Sequence, residues 1–384
     1  MKLVLPRFVA IDSSILASWA KDAFASDDKI QGSARAIQAS LFNANWIPII
    51  CLHHFIELSR HSDIQIAHRR VDFLKSFSQI AWFGRSYDPK MLGAIVDIFE
   101  AEVATIAISL AIDFRRIREA VRARLIQYGL PSDIGMLNDW EFLHSTLEAM
   151  ATREQEIASI LHTEGRVNDD AEIGWLRNIR INDPTTFTQL LSEEIAKTTE
   201  NLSYRGDRRL TDHDRVARDF IDLVDRDLIE ARQRSNNAFD ALVEQRDIPP
   251  NDVTDNTTLG EFKRLARLRK LARVATTQLG VDIDQVWPKI RDAKIPSEIV
   301  QKAIRDARRS APRASGSDLG DDYLASLAPY IDAIIVDKRT HEFLTQAARR
   351  DPYIHEIVGF FAKATSYKQL PQILATCPGS TTLS

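Results

Sequence analysis

Residues 8–16 read FVAIDSSIL, an apolar run that ends at Asp12 and continues into small and aliphatic residues. A short apolar run of this kind predicts a buried β-strand, and residues 13–24 have the spacing of a helix. The pattern returns far along the chain, where residues 333–336 read AIIV and Asp337 follows. Buried strands followed by helices are typical of α/β folds with a parallel sheet.

The middle of the chain has a different pattern, with little strand character. Helices are predicted at 136–162, 185–203, 211–246, 259–279 and 367–376; strands are predicted at 46–52 and 353–358, and residues 79–83 form either a strand or an extended connection. We therefore predict a three-layer α/β domain with a parallel sheet flanked by helices, formed by about 1–110 and 296–384. An all-α insertion at about 111–295 interrupts it.

Composition limits the class of protein. The chain has 384 residues, a net charge of -4, 44% hydrophobic and 27% charged residues, which suggests about two ordinary globular domains. Cys51 and Cys377 are the only cysteines, so a disulfide framework and a cysteine zinc site are excluded and a cytoplasmic location is expected. Charged residues interrupt both the N-terminal apolar stretch and residues 91–112, so neither a signal peptide nor a membrane helix is predicted.

Acidic residues follow the predicted strands. Asp12 and Asp337 each end a strand, Glu57 lies in the helix after strand 46–52, and Asp321 opens the helix before strand 333–336. Ligands of parallel sheets bind outside the carboxyl ends of the strands, and clustered carboxylates repel one another unless a cation lies among them. Carboxylate oxygens favour Mg²⁺ or Mn²⁺, which can activate water for phosphodiester hydrolysis. The alternative is that each carboxylate only caps a helix.

Three segments together resemble the PIN-domain family of nucleases. They read FVAIDSSIL at 8–16, WIPIICLHHFIELSRHSD at 46–63 and DLGDDYLASLAPYIDAIIVDKRTHEFL at 318–344. The resemblance implies a discontinuous PIN-like domain whose ligands for Mg²⁺ or Mn²⁺ are Asp12, Glu57, Asp321 and Asp337. It also implies an endoribonuclease, since family members commonly cleave RNA as toxins or RNA-processing enzymes.

The resemblance assigns further roles near these ligands. Ser14 would support Asp12 or a bound water, and Lys338 or Arg339 would contact a phosphate. Asp332 is a candidate supporting residue behind the ligands, or else a cap of the turn at Tyr330. Two neighbours of Asp321 could replace it as ligand, namely Asp318 and Asp322.

Several other patterns leave alternatives open. His54, Glu57 and His61 share one helix face and could bind zinc, although a plain amphipathic helix end fits them as well. The acidic run Asp97, Glu100 and Glu102 is interpreted as a solvated helix face, with Asp97 as a possible buried acid. A basic stretch is either a solvated helix or a nucleic-acid-binding surface, with its leading candidates at Lys263, Arg264 and Arg267.

Partners and rival functions follow from the same patterns. The insertion could shape an RNA channel, bind an inhibitor or partner protein, or mediate self-association into a homo-oligomer; no membrane partner is expected. Two rival functions stay open. One is a catalytically inactive PIN-like scaffold for RNA or protein, and the other is a DNA-directed flap-type nuclease.

Overall fold

The computed structural model describes residues 6–108, 113–147, 156, 160, 169–181, 184–205, 210–221, 235–308 and 318–378. The chain divides into two compact units. The first, here called the sheet unit, comprises residues 1–152, 294–308 and 319–384. The second, here called the helical unit, comprises residues 153–293 and 309–318. No helix among the described residues is long and apolar enough to cross a bilayer.

A six-stranded sheet forms the centre of the sheet unit. Its strands are β1 (Arg7–Ile11), β2 (Trp46–Ile50), β3 (Ile80–Phe83), β4 (Ile126–Gly129), β5 (Ala333–Val336) and β6 (Phe360–Lys363). Their order across the sheet is β4-β3-β2-β1-β5-β6, and only the β3–β4 pair is antiparallel. The α/β class with a mostly parallel sheet is therefore confirmed.

Helices cover both faces of this sheet. Their bounds are α1 (Ser13–Ala23), α2 (Asp28–Asn43), α3 (Leu52–Ser59), α4 (Ile64–Lys75), α5 (Ile95–Ile108), α6 (Phe114–Leu125) and α7 (Gly135–Asn138) in the first part of the chain. The helical unit contributes α8 (Pro184–Arg205), α9 (Ala238–Gln245), α10 (Leu259–Leu279) and α11 (Ile283–Asp292). The last part of the chain adds α12 (Pro296–Arg308), α13 (Asp318–Leu327), α14 (Lys338–Arg350), α15 (Pro352–Ile357) and α16 (Leu370–Ala375).

The two helix layers have separate partners. Helices α1 to α4 and α16 share one apolar core with Val9, Ile11 and Ile335 of the sheet. Trp19 of α1 is fully buried in this core, and its ring stacks on Tyr367 at a centroid distance of 5.3 Å. Helices α5, α6, α12, α14 and α15 contact one another in the other layer. Because side chains alternate along a strand, both faces of β1 are covered, which explains its continuous apolar run.

Several element predictions are changed by the structure. Strands β1, β2, β3 and β5 are confirmed, as are the helix at 259–279 and a helix within 367–376. The predicted strand at 353–358 is wrong, because residues Pro352–Ile357 form a helix and the strand follows at Phe360–Lys363. Strand β4 was not predicted; it pairs with β3, and the sheet unit consequently extends to residue 152 rather than 110. The helices predicted at 136–162 and 211–246 lie partly outside the described residues.

The acidic run on α5 is buried, so its interpretation as a solvated face is wrong. Glu102 accepts hydrogen bonds from the Ser297 backbone N–H at 2.9 Å, from the Ser297 hydroxyl and from the Tyr330 hydroxyl. Burial raises the pKa of Glu102 to about 7, although these donors oppose the shift and the nearby charge of Glu298 adds to it. Asp97 is also buried and caps the start of α5 by accepting the Ala94 N–H at 2.7 Å.

Candidate metal centre at the carboxyl edge of the sheet

The connectivity of the sheet reverses direction between β1 and β5. From β1 the chain continues outward to β2 and β3, whereas β5 and β6 lie on the other side of β1. Such a reversal opens a crevice outside the carboxyl ends of the two strands, where ligands of α/β sheets bind. Asp12 follows β1 and Asp337 follows β5, and the Asp12 backbone N–H donates to the Ile335 carbonyl at 2.8 Å. The two carboxylates therefore flank the crevice.

Asp12 is buried at this position and is 8% exposed. It caps α1, and its Oδ1 accepts the Ser14 backbone N–H at 2.8 Å as well as the Ser14 hydroxyl. Burial raises the pKa of Asp12; the Ser14 hydrogen bonds oppose this shift, and the negative charges of Glu57 and Asp337 add to it. Glu57 and Asp337 thus both act on Asp12 through their charge, and Ser14 makes the supporting contact expected from the sequence.

Glu57 lies in the second turn of α3 and is held by its own helix. His53 Nε2 lies 3.2 Å from Glu57 Oε2, and Arg60 Nη2 lies 3.7 Å from Oε1. Burial opposes ionisation, but hydrogen bonds from His53 and Ser13 and the positive charge of His53 and Arg60 outweigh it. The pKa of Glu57 is lowered to about 2, so this carboxylate is ionised over the whole physiological range.

Asp337 caps α14 as Asp12 caps α1. Its Oδ1 accepts the Thr340 backbone N–H at 2.7 Å. Lys338 is exposed and Arg339 is half-buried, with its guanidinium 5.5 Å from the centroid of the Phe343 ring. The first turn of α14 therefore places two cations directly beside the carboxylate, where a bound phosphate would be attracted both to them and to the helix N-terminus.

Asp321 lies on α13, but its side chain is outside the described residues, together with those of Asp318 and Asp322. Helix α13 reaches the site through Tyr323, whose ring packs edge-on against His53 at a centroid distance of 5.4 Å. Among the described residues, no three His, Cys, Asp or Glu side chains are arranged to hold a metal ion. A complete set of protein ligands would therefore need a carboxylate from α13.

His54, near the start of α3, has a structural role that the sequence does not predict. His54 is fully buried; Nδ1 lies 3.2 Å from the Cys51 backbone N, and Nε2 lies 3.1 Å from the Ile11 carbonyl oxygen. Burial lowers the pKa of His54 to about 4, so the ring is neutral and joins the ends of β1 and β2. The zinc alternative is wrong, because both ring nitrogens of His54 are engaged and His61 Nδ1 accepts the Asp63 N–H at 3.0 Å.

Asp332 lies at the opposite edge of the sheet. It precedes β5, accepts the Phe8 backbone N–H at 2.9 Å and forms ion pairs with Arg122 at 3.3 Å and Arg118 at 3.6 Å. Its predicted role behind the metal ligands is wrong, because the whole length of β5 separates it from Asp337. Asp332 instead joins the beginnings of β1 and β5 to α6.

The basic stretch on α10 belongs to the helical unit, and part of it is structural. Arg269 is 4% exposed; its Nη2 lies 2.6 Å from Asp284 Oδ1, and its Nε donates to the Asp247 carbonyl at 2.9 Å. The three residues predicted to bind nucleic acid differ in their surroundings: Lys263 pairs with Asp169 at 3.5 Å, Arg264 donates to the Arg291 carbonyl at 3.2 Å, and Arg267 is half-buried. The stretch is therefore not a uniform row of solvated cations.

Comparison with known proteins adds no assignment to this geometry. No protein-family model matches the chain, and neither a curated protein nor a solved structure matches it. The function must therefore be inferred from the crevice between β1 and β5, from the three carboxylates around it and from the cations on α14.

Proposed function

We propose that this chain is a metal-dependent nuclease with a PIN-like sheet unit, and that it hydrolyses RNA phosphodiesters. The observation that supports the proposal is the position of Asp12 and Asp337 on either side of the crevice, with Glu57 close enough to raise the pKa of Asp12. Asp12 and Asp337 cap helices, and they also lie at the edge where α/β sheets bind their ligands.

The charge of the cluster fits a divalent cation. Asp12 is buried beside two further negative groups, and a cation among them would offset both the desolvation and the repulsion. The donors are carboxylate oxygens, which match Mg²⁺ or Mn²⁺ better than zinc. The proposed ligands are Asp12, Glu57 and Asp337 together with Asp321 of α13, since the described carboxylates alone do not form a group able to hold a metal ion.

The reaction is hydrolysis by an activated water, and the bound ion would supply its activation and charge neutralisation. The protein's own side chains would orient the carboxylates and the phosphate. Ser14 fixes the Asp12 carboxylate, and His53 and Arg60 keep Glu57 ionised and oriented. Lys338 and Arg339 would hold the phosphate at the start of α14, which leaves the scissile bond facing the acidic cluster.

The setting of the enzyme is part of the same proposal. RNA as the substrate, a toxin-like or RNA-processing role and a cytoplasmic location rest on the resemblance of the three sequence segments. The helical unit would bind an inhibitor or partner protein, or a second copy of the chain.

The test is cleavage of labelled single-stranded RNA, hairpin RNA and DNA in Mg²⁺ or Mn²⁺. Wild type is compared with Asp12→Asn and Asp337→Asn, and with wild type in EDTA. Asp351→Asn is the matched control, because Asp351 caps α15 in the same way but lies at the far end of α14. We expect cleavage by wild type and Asp351→Asn alone. Equal cleavage by Asp12→Asn would refute the proposed site.

A second candidate function is a non-catalytic scaffold. It is favoured by the finding that no three potential ligands converge among the described residues. A scaffold would fold and bind its partners without a cation, so titration with Mn²⁺ separates the two functions. The same cleavage assay separates an RNA-directed enzyme from a flap-type nuclease that prefers DNA.

A further inference from the structure

The loop after β3, residues 84–93, lies at the same edge of the sheet as Asp12. Strands β3, β2 and β1 are parallel neighbours, so their carboxyl ends point to one edge. Neighbouring strands are about 4.8 Å apart, which places the loop about 10 Å from the end of β1. About three stacked nucleotides, at a rise of about 3.4 Å each, span that distance.

This loop has a well-defined conformation. Gly93 donates to the Phe83 carbonyl at 2.7 Å, Arg85 donates to the Met91 carbonyl at 3.1 Å, and Gly84 donates to the Leu125 carbonyl at 2.7 Å. A Cβ at Gly84 would lie 2.6 Å from the Pro89 carbonyl oxygen, so only glycine permits this close approach. The Leu52 N–H donates to the Gly93 carbonyl at 3.0 Å and thus attaches the loop to the first residue of α3.

The loop presents an aromatic ring together with positive charge. Tyr87 is 68% exposed, and the Arg85 guanidinium donates to its hydroxyl and lies 5.5 Å from its ring centroid. Arg85 Nε is buried and has no hydrogen-bond partner among the described residues. Lys90 is exposed, and Arg124 of α6 is tied to the loop by its hydrogen bond to Ser86 at 3.0 Å.

We infer that the loop at 84–93 is a binding site for single-stranded nucleic acid, in which a base stacks on Tyr87 and the backbone contacts Arg85, Lys90 and Arg124. The inference rests on the proposed nuclease function and names the form of its substrate. Sequence-tolerant single-strand binding uses this combination of an aromatic ring and a positively charged track. Within residues 84–93 the two cations, Arg85 and Lys90, outnumber the single carboxylate, Asp88.

The geometry also defines the path of the nucleic acid between the loop and the crevice. A base held on Tyr87 would be separated from the acidic crevice by the width of β2 and the start of α3. The backbone between them would cross the edge of the sheet where Cys51 and Leu52 lie. The site therefore favours an unpaired strand, because a base inside a duplex is stacked between its neighbours and its faces are not available to Tyr87.

The test measures binding separately from cleavage. A short fluorescent oligouridylate is titrated with the full chain in EDTA, and binding is followed by fluorescence anisotropy. We expect Tyr87→Ala to bind about tenfold more weakly, because loss of one stacked base weakens binding by about five- to 150-fold. Tyr87→Phe keeps the ring and should stay within about twofold of wild type. Lys90→Ala should reduce the salt slope by about 0.7.

The control is Tyr204→Ala, since Tyr204 has a similar exposure of 72% but lies on α8 of the helical unit. Wild-type binding by Tyr87→Ala, equal losses in Tyr204→Ala and Tyr87→Ala, or no binding by wild type would each overturn the inference. Tyr87-dependent binding without any cleavage would retain the binding site and refute the nuclease. Cleavage by wild type together with unchanged binding by Tyr87→Ala would retain the nuclease and refute the binding site.

Discussion

Glu102 and Ser297 are joined by two hydrogen bonds, from the Ser297 backbone N–H at 2.9 Å and from its hydroxyl, across 195 residues of chain. Ser297 is the second residue of α12, the helix with which the chain returns to the sheet unit. Tyr330, just before β5, donates to the same carboxylate. One buried side chain of α5 thus holds two segments that lead toward the crevice.

The stability of the protein should depend on pH through Glu102. Its pKa is about 7 in the folded state, above the ordinary value of 4.5, so the folded state binds more protons than the unfolded state between these limits. The contribution of protonated Glu102 to the free energy of unfolding is therefore fully present below pH 4.5, and it is lost as the pH rises through 7. Between these two pH values the free energy of unfolding should fall by about 3 kcal/mol.

Glu102→Gln should remove this dependence, because an amide has no charge and can still accept from Ser297 and Tyr330. Urea unfolding at pH 5 and at pH 8 measures it, with Glu119→Gln on the exposed face of α6 as control. We expect the Gln variant to be more stable than wild type only at the higher pH. Parallel profiles for wild type and Glu102→Gln would contradict the buried-carboxylate explanation.

Mn²⁺ should raise the melting temperature of wild type. At a hundredfold excess over the dissociation constant, binding adds about 2.7 kcal/mol, which corresponds to a shift of about 5 to 10 °C. Asp12→Asn keeps an oxygen that can cap α1 but loses the charge, so its shift should disappear. Scanning fluorimetry checks this, with Asp351→Asn expected to behave as wild type. A full shift in Asp12→Asn would remove Asp12 from the ligand set.

Asp332→Asn separates stability from activity. The substitution weakens the ion pairs with Arg118 and Arg122 and the bond from the Phe8 N–H, at the edge opposite the crevice. We expect a loss of about 1 to 2 kcal/mol in the free energy of unfolding. Cleavage and the Mn²⁺-induced shift should persist at a temperature where the variant is folded. Their loss in a folded variant would show that Asp332 acts on the crevice.

Arg269→Met tests the structural part of the basic stretch. Arg269 loses its bonds to Asp247 and Asp284, so the helical unit should be destabilised by about 2 kcal/mol. Lys270→Met, one residue along and exposed, should change stability by less than about 0.5 kcal/mol. Chemical unfolding followed by tryptophan fluorescence compares them, since Trp287 lies under the Arg269 guanidinium. Equal stabilities would show that Arg269 is dispensable.

The sequence predicted the central strands because they are buried on both faces. β1 and β5 appear as unbroken apolar runs, and each ends in a carboxylate. β4 reads IQYG, is only partly buried and follows α6 without a break. The spacing of its apolar residues therefore does not change clearly from a helical to a strand pattern. The strand predicted at 353–358 is wrong because it rests on a short apolar pattern, whereas Asp351 and Pro352 are typical of a helix start.

The candidate site was predictable only as far as it depends on strand ends. Asp12 and Asp337 follow from the strand pattern, and the topology explains why they lie at the same edge of the sheet. The sequence offers His54 only as a zinc ligand; its structural role has no local signal, because its partners are a carbonyl of β1 and an amide at the end of β2. The contact of His53 with Glu57 has a local signal, their i,i+4 spacing on α3, which could have found it.

The pairing of β1 with β5 also affects folding during synthesis, because the two strands leave the ribosome far apart in time. Phe8 and Asp332, joined by a hydrogen bond, are 324 residues apart. At about 5 to 20 residues per second, a ribosome needs about 15 to 65 s between them. Throughout that interval the apolar edge of β1 has no neighbour on one side and can pair with other chains. The crevice between β1 and β5 is thus incomplete until residues 333–336 have emerged, and the nascent polypeptide is prone to aggregation at this edge until then.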